Sequence, residues 1–209
     1  MLRRATLLLP ALALPGGVAW ALPAPLRGEA AEAVLHGLAA GGHTLLLRHG
    51  DTRGTGCDTT SDWRDAARQR HLSPEGHAQA RAIGAALRAW RVPIAPPVLA
   101  SPVPRALDTA RLAFGDGVLA DARLLSDEFA GEDVPAVIAA QRGLVAEAAP
   151  RGLNRVLVGH LSSALRVGDR RPTQAEFPEG ALLVMREGGE VAAVLELAPL
   201  PGGGAHACR

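Results

Sequence analysis

The chain has 209 residues, of which 48% are hydrophobic, and its formal net charge is +1. These values fit one globular domain that buries about 70% of its unfolded surface, and they give no sign of the basic footprint of a nucleic-acid-binding protein. All 22 residues counted as lysine or arginine are arginine. Chemistry that requires lysine, such as Schiff-base formation or P-loop phosphate binding, is therefore excluded.

The first 21 residues predict an export signal. Arg3 and Arg4 provide a positive start, residues 5–14 an apolar core, and Ala19-Trp20-Ala21 a small-x-small cleavage site. The apolar core is shorter than the roughly 20 residues that span a bilayer, so we expect no stable membrane span after cleavage. The mature protein is then expected to begin at Leu22 and to be periplasmic or secreted.

The rest of the chain predicts one domain with short flanking segments. Residues 22–42 hold a proline-rich spacer and a helix stopped by two glycines, and residues 43–198 form the domain. The end of the domain, residues 182–197, is typical of a hairpin. Residues 199–209, with three consecutive glycines, predict a flexible tail.

Three short apolar runs are typical of buried strands, and each leads to residues suited to phosphate chemistry. The runs are residues 44–47, before Arg48 and His49; residues 98–101, before the helix start that carries Arg105; and residues 156–159, before His160. Open α/β sheets place their sites at the carboxyl ends of parallel strands. We therefore expect these side chains to meet at one edge of a sheet.

A histidine can attack phosphorus when neighbouring cations hold the phosphoryl oxygens. Arg48, Arg105 and a protonated imidazole would supply that positive charge. The attacking nitrogen of His49, by contrast, must be unprotonated. Its other ring nitrogen should therefore donate to a backbone carbonyl, which fixes the tautomer.

Residues 51–70 predict a long polar loop over this site. Arg53 and three further arginines of the loop are candidates to meet anionic parts of a substrate, and Thr55 is a candidate substrate-binding residue. Cys57 is excluded as a phosphate nucleophile, because Trp63 stands six residues later, where such sites carry an arginine. The sequence leaves open whether Cys57 pairs with Cys208, the other cysteine of the chain.

The three motifs, in this order, resemble those of the histidine phosphatase superfamily, which has the fold of cofactor-dependent phosphoglycerate mutase. The resemblance runs roughly from residue 45 to residue 196, and the segment 72–80 is similar to a structural segment of that family. It implies a three-layer α/β/α sandwich with a mostly parallel central sheet. It also implies that His49 is phosphorylated, that His160 supports the transferred phosphoryl group, and that water then hydrolyses the phosphohistidine.

The resemblance further implies a proton donor between Arg105 and His160, often a glutamate four residues before a glycine. Gly131 then selects Asp127 for this role, with the adjacent Glu128 as the alternative. Thr55 stands where many relatives carry asparagine, which leaves the type of substrate open.

Together these features predict an exported phosphomonoesterase of the histidine acid phosphatase type, acting on a small phosphorylated molecule. Two alternatives remain: a phosphohistidine phosphatase that acts on proteins, and a non-catalytic phosphate- or anion-binding module that retains the pocket. We expect no cofactor and no nucleic-acid partner. We also expect no metal, since no histidines stand at ligand spacing such as His-x-His.

Overall fold

The computed structural model describes residues 22–162, 164–165 and 170–201. The predicted export signal, residues 1–21, lies outside the described residues. So do Cys208 and the rest of residues 202–209, the greater part of the predicted tail.

A six-stranded sheet forms the centre of the fold, in the order β3-β2-β4-β1-β5-β6. The strands are β1 (Thr44–Arg48), β2 (Val98–Ala100), β3 (Val118–Ala120), β4 (Arg155–Gly159), β5 (Leu182–Met185) and β6 (Val191–Leu195). The first four strands of that order are parallel, whereas β5 runs antiparallel to both β1 and β6. The predicted α/β sandwich is confirmed, but the sheet is mixed rather than mostly parallel, because the terminal hairpin extends it beyond β1.

Four helices cover the two faces of the sheet: α1 (Gly28–Leu38), α2 (Pro74–Ala89), α3 (Pro104–Phe114) and α4 (Val134–Ala146). Successive side chains of a strand point to opposite faces. Leu45 and Leu47 accordingly pack in the cluster that holds α1, α2 and α3, whereas Leu46 packs in the cluster that includes Leu144 of α4. Within the described ranges, no helix is both long and apolar enough to cross a membrane.

The start of α2 holds the loop that follows β1. The side chain of Ser73 caps the helix by accepting from the Gly76 amide at 2.9 Å, and Pro74 occupies the first turn. A Cβ atom at Gly76 would lie 2.1 Å from the carbonyl oxygen of Asp51, so only glycine allows the two backbones to approach this closely. The segment 72–80 therefore has the structural role that its resemblance implied.

Candidate active site

A cavity of about 440 Å³ opens where β1 and β4 end. We call it the central cavity. Its charged and histidine lining residues are Arg48, Arg70, Arg105, Arg171, His49, His160, Asp58 and Glu128. The four residues predicted from the strand ends and the helix start therefore come together.

Sheet register places the two histidines side by side. Arg48 of β1 pairs with Gly159 of β4, so His49 and His160 leave adjacent parallel strands at the same level. The amide of His49 donates to the Gly159 carbonyl at 2.9 Å. The two ring centroids are 5.3 Å apart and the ring planes are inclined by 58°.

The ring of His49 is held in the tautomer that a nucleophile requires. Its Nδ1 lies 2.9 Å from the carbonyl oxygen of Gly50, and because a carbonyl can only accept, Nδ1 carries the proton. This contact confirms the prediction that the second nitrogen donates to the backbone. Burial, followed by the charges of Arg105 and Arg48, lowers the pKa of His49 well below 6.5. Its Nε2 thus keeps its lone pair at neutral pH.

His160 is also neutral. Its Nε2 lies 2.9 Å from the hydroxyl of Ser101, the last residue of the second apolar run. Burial and then the charges of Arg105 and Arg48 hold the pKa of His160 well below 6.5. These effects disfavour the protonated imidazole that the sequence suggested, and the arginines carry the positive charge of the site.

Arg48 is anchored by a segment that the sequence did not connect with the site. Its Nη1 donates to the carbonyl of Phe177 at 2.5 Å, and its Nη2 lies 3.6 Å from the carboxylate of Glu179. Glu179 also accepts from the amide of Thr52 at 2.9 Å. Burial lowers the pKa of Arg48 to about 10, against the opposing effect of Glu179, so the guanidinium stays charged at neutral pH.

Arg105 is only 1% exposed and is held from two sides. Its Nη1 donates to Asp58 at 3.1 Å and its Nη2 to Glu128 at 2.9 Å. Its first-turn position in α3 results from Pro104, which occupies the first helical residue. Burial lowers the pKa of Arg105, and the two carboxylates oppose that effect.

Three predicted residues are not among the described residues that line the central cavity: Arg53, Thr55 and Asp127. Arg53 pairs with Asp51 and donates to the carbonyl of Pro201. The hydroxyl of Thr55 donates to the carbonyl of Thr52 at 2.8 Å, so it shapes the loop locally. Of the two candidate proton donors, the structure brings Glu128 to the cavity and leaves Asp127 outside its lining.

Sequence reasoning missed Asp58, Glu179, Arg171 and Gln174, and it named Arg70 only as one of several loop arginines. Asp58 stands in a polar loop in which nothing distinguishes it from its neighbours. Glu179 lies in a Pro-Glu-Gly sequence. This sequence predicts a turn but does not show what the turn packs against. In the described part of the chain, no group of three or more His, Cys, Asp or Glu side chains is arranged to hold a metal ion.

Comparisons with known proteins give a family match and several structural matches. The sequence pattern of the histidine phosphatase superfamily (branch 1) covers residues 44–140, which include His49 and Arg105. The protein TTHB049 from Thermus thermophilus is 22% identical, with a TM-score of 0.50 over 78% of this chain and 99% of that chain. The structure of TTHB049 shows the same fold. No curated relative matched.

Two further solved structures are similar at lower TM-scores. The protein histidine phosphatase SixA, in complex with tungstate, is 22% identical with a TM-score of 0.49, over 74% of this chain and 97% of that chain. A phosphoglycerate mutase from Thermus thermophilus is 22% identical with a TM-score of 0.48, over 73% and 98% of the two chains.

The two histidines should stay neutral as the pH is lowered through 6.5, since burial and the arginines depress the pKa of each ring. Long-range ¹⁵N–¹H spectra of imidazole-labelled protein measure this directly, and His49 should show the Nδ1–H tautomer. Arg105→Gln should raise the pKa of both rings without restoring it fully, because burial is the larger cause. Titration of His49 at an ordinary pKa in the unaltered protein would contradict the assignment.

Proposed function

Because this chain belongs to the histidine phosphatase superfamily, we propose that it is an exported phosphomonoesterase that forms a phosphohistidine on His49. Membership of this superfamily supports phosphatase activity. The phosphohistidine proposal rests on the state of His49. Its ring is neutral, its Nδ1 donates to the Gly50 carbonyl, and two buried arginines lie beside it.

The central cavity is suited to a phosphoryl group because several arginines line it. Among the described residues, the buried Nε atoms of Arg48, Arg70 and Arg105 have no partner. An unpaired buried donor costs about 1–3 kcal/mol, and more when the group is charged. A phosphoryl group brings acceptor oxygens, so it satisfies such donors and neutralises the arginines at the same time.

The reaction follows from this arrangement in two steps. Nε2 of His49 donates its lone pair to phosphorus, and the bond from phosphorus to the ester oxygen breaks. The bonding electrons leave with that oxygen, which takes up a proton. Water then attacks phosphorus and returns a proton to the carboxylate that protonated the leaving oxygen. The N–P bond breaks, its electrons return to Nε2 of His49, and inorganic phosphate is released. The arginines stabilise the charge of both transition states.

Glu128 is the better of the two predicted proton donors. It lines the cavity and contacts Arg105, whereas Asp127 is not among the lining residues. A carboxyl group at this position can give a proton to the leaving oxygen.

The size of the central cavity supports a small substrate. Its volume of about 440 Å³ lies within the roughly 300–1,000 Å³ of small-molecule sites. A small phosphorylated molecule fits this space, with its phosphoryl group placed against the two histidines.

Export is supported by the cysteine chemistry as well as by residues 1–21. Cys57 is disulfide-bonded, and disulfides persist mainly in oxidising compartments such as the periplasm. Cys208 is the other cysteine of the sequence, so we propose it as the partner within one chain.

Replacement of His49 should abolish both turnover and covalent labelling. With a labelled phosphate ester, intact protein quenched in alkaline detergent should carry an acid-labile, base-stable phosphoryl group, and His49→Ala should not. Arg105→Ala should lower the rate about 10²–10³-fold, as the loss of one charge-stabilising donor typically does. The matched control is His36→Ala on the exposed surface of α1, which should behave like the unaltered protein. Normal labelling of His49→Ala would refute the intermediate.

The rate loss of Glu128→Gln should depend on the leaving group. An alkyl phosphate releases a strongly basic alkoxide that needs a proton, whereas a nitrophenyl phosphate releases a weakly basic phenolate. General acid catalysis typically contributes about 10²–10⁴-fold, and that loss should appear on the alkyl ester. A selective loss in Asp127→Asn instead would return the role to Asp127. Small, equal losses in both variants would indicate an enzyme for good leaving groups, such as phosphohistidine.

Protein recovered from the exported fraction should begin at Leu22 and contain a Cys57–Cys208 disulfide. N-terminal sequencing tests the first point, and peptide mass mapping without reduction tests the second. An intact Met1 on exported material would refute the signal, whereas unlinked cysteines would refute only the pairing.

A further inference from the structure

Two carboxylates from different loops contact one buried arginine at the centre of the site. Arg105 donates from Nη1 to Asp58 at 3.1 Å and from Nη2 to Glu128 at 2.9 Å. The guanidinium side chain is 1% exposed, whereas the side chains of Asp58 and Glu128 are 21% and 55% exposed. The two contacts therefore differ in how firmly each carboxylate is held.

Asp58 is the firmly held partner. The same Oδ1 that accepts from Arg105 also accepts from the backbone amide of Arg70 at 2.7 Å. This second bond ties Asp58 to the chain just before α2. The Asp58 carboxylate can thus keep its position when a ligand enters.

A guanidinium can bind a tetrahedral anion bidentately through one of two edges, Nη1 with Nη2 or Nε with Nη2. Asp58 occupies Nη1 and so blocks the first edge. The second edge contains Nε, which is buried and has no partner among the described residues. Its other atom, Nη2, is bonded to Glu128, the more exposed of the two carboxylates.

We propose that Asp58 is a positioning residue that holds Arg105 by Nη1, so that the Nε–Nη2 edge receives the phosphoryl group while Glu128 leaves Nη2. The inference rests on the proposed function, because the phosphoryl group is taken as the ligand. It adds a role for a residue that has none in the catalytic scheme. It also makes the release of Glu128 from Arg105 part of substrate binding, which frees that carboxyl for the leaving oxygen.

The two carboxylates should therefore affect anion affinity in opposite ways. Loss of the Asp58 acceptor should leave Arg105 poorly oriented and weaken binding. Loss of the Glu128 charge should remove a competitor for the receiving edge and strengthen binding. A purely electrostatic role would give the same sign for both residues, because each carries one negative charge beside the same cation.

The test is calorimetric titration with tungstate, a tetrahedral dianion that does not titrate near neutral pH. Asp58→Asn and Asp58→Ala carry the same charge and differ in the acceptor, so their comparison isolates hydrogen bonding. Asp58→Ala should bind tungstate about tenfold more weakly than Asp58→Asn, the scale of a lost hydrogen bond to a charged group. Glu128→Gln should bind about two- to fivefold more tightly than the unaltered protein.

Asp62→Asn is the matched control, because Asp62 lies on the same loop and pairs with Arg64 while 58% exposed. It should leave tungstate affinity unchanged. Equal affinities of Asp58→Asn and Asp58→Ala would overturn the positioning role. Weaker binding by Glu128→Gln would overturn the assignment of the receiving edge.

A crystal structure of the unaltered protein with tungstate gives an answer that does not depend on how any variant folds. The proposal requires the bond between Asp58 and Nη1 to persist and the bond between Glu128 and Nη2 to be broken. Loss of the Asp58 bond in that complex would overturn it. Tungstate binding needs no turnover, so absent hydrolysis together with the expected affinities would count against the proposed function alone.

Discussion

The burial of two guanidinium groups beside two imidazoles is the constraint on which the rest of the site depends. Arg48 and Arg105 are 2% and 1% exposed. An ion removed from water to this degree costs several kcal/mol unless it is paired and hydrogen-bonded. Glu179, Asp58 and Glu128 meet this requirement from three separate segments. The chain therefore brings distant loops together around the strand ends.

The same positive field determines the state of the imidazoles. A buried ring beside arginines loses its proton readily, and the pKa of His49 is depressed for this reason. Arginine suits the arrangement better than lysine, since it stays charged when buried, and the chain contains no lysine. A single electrostatic arrangement thus provides both a neutral imidazole and a cationic surface for an anion.

Local sequence patterns predicted the parts of the site that depend on local structure. Strand runs ending in His49 and His160, and a proline-marked helix start before Arg105, place those residues through strand register and helix geometry alone. Asp58 and Glu179 were not predictable in this way, because their roles arise from contacts between segments far apart in sequence. Asp127, the first predicted proton donor, is not among the residues that line the cavity, and the reason is similar. The spacing to Gly131 cannot show which of two adjacent carboxylates turns inward.

The position of β1 in the sheet has a consequence for the order of events in folding. This strand lies between β4 and β5, so Leu45 pairs with Val156 on one side and with Val184 on the other. Both partners are more than a hundred residues later in the chain. Contacts of such long range form slowly, because a large loop must close first. A nascent chain that still lacks β4 and β5 has neither neighbour of β1, so His49 and His160 come together only after both strands have been made.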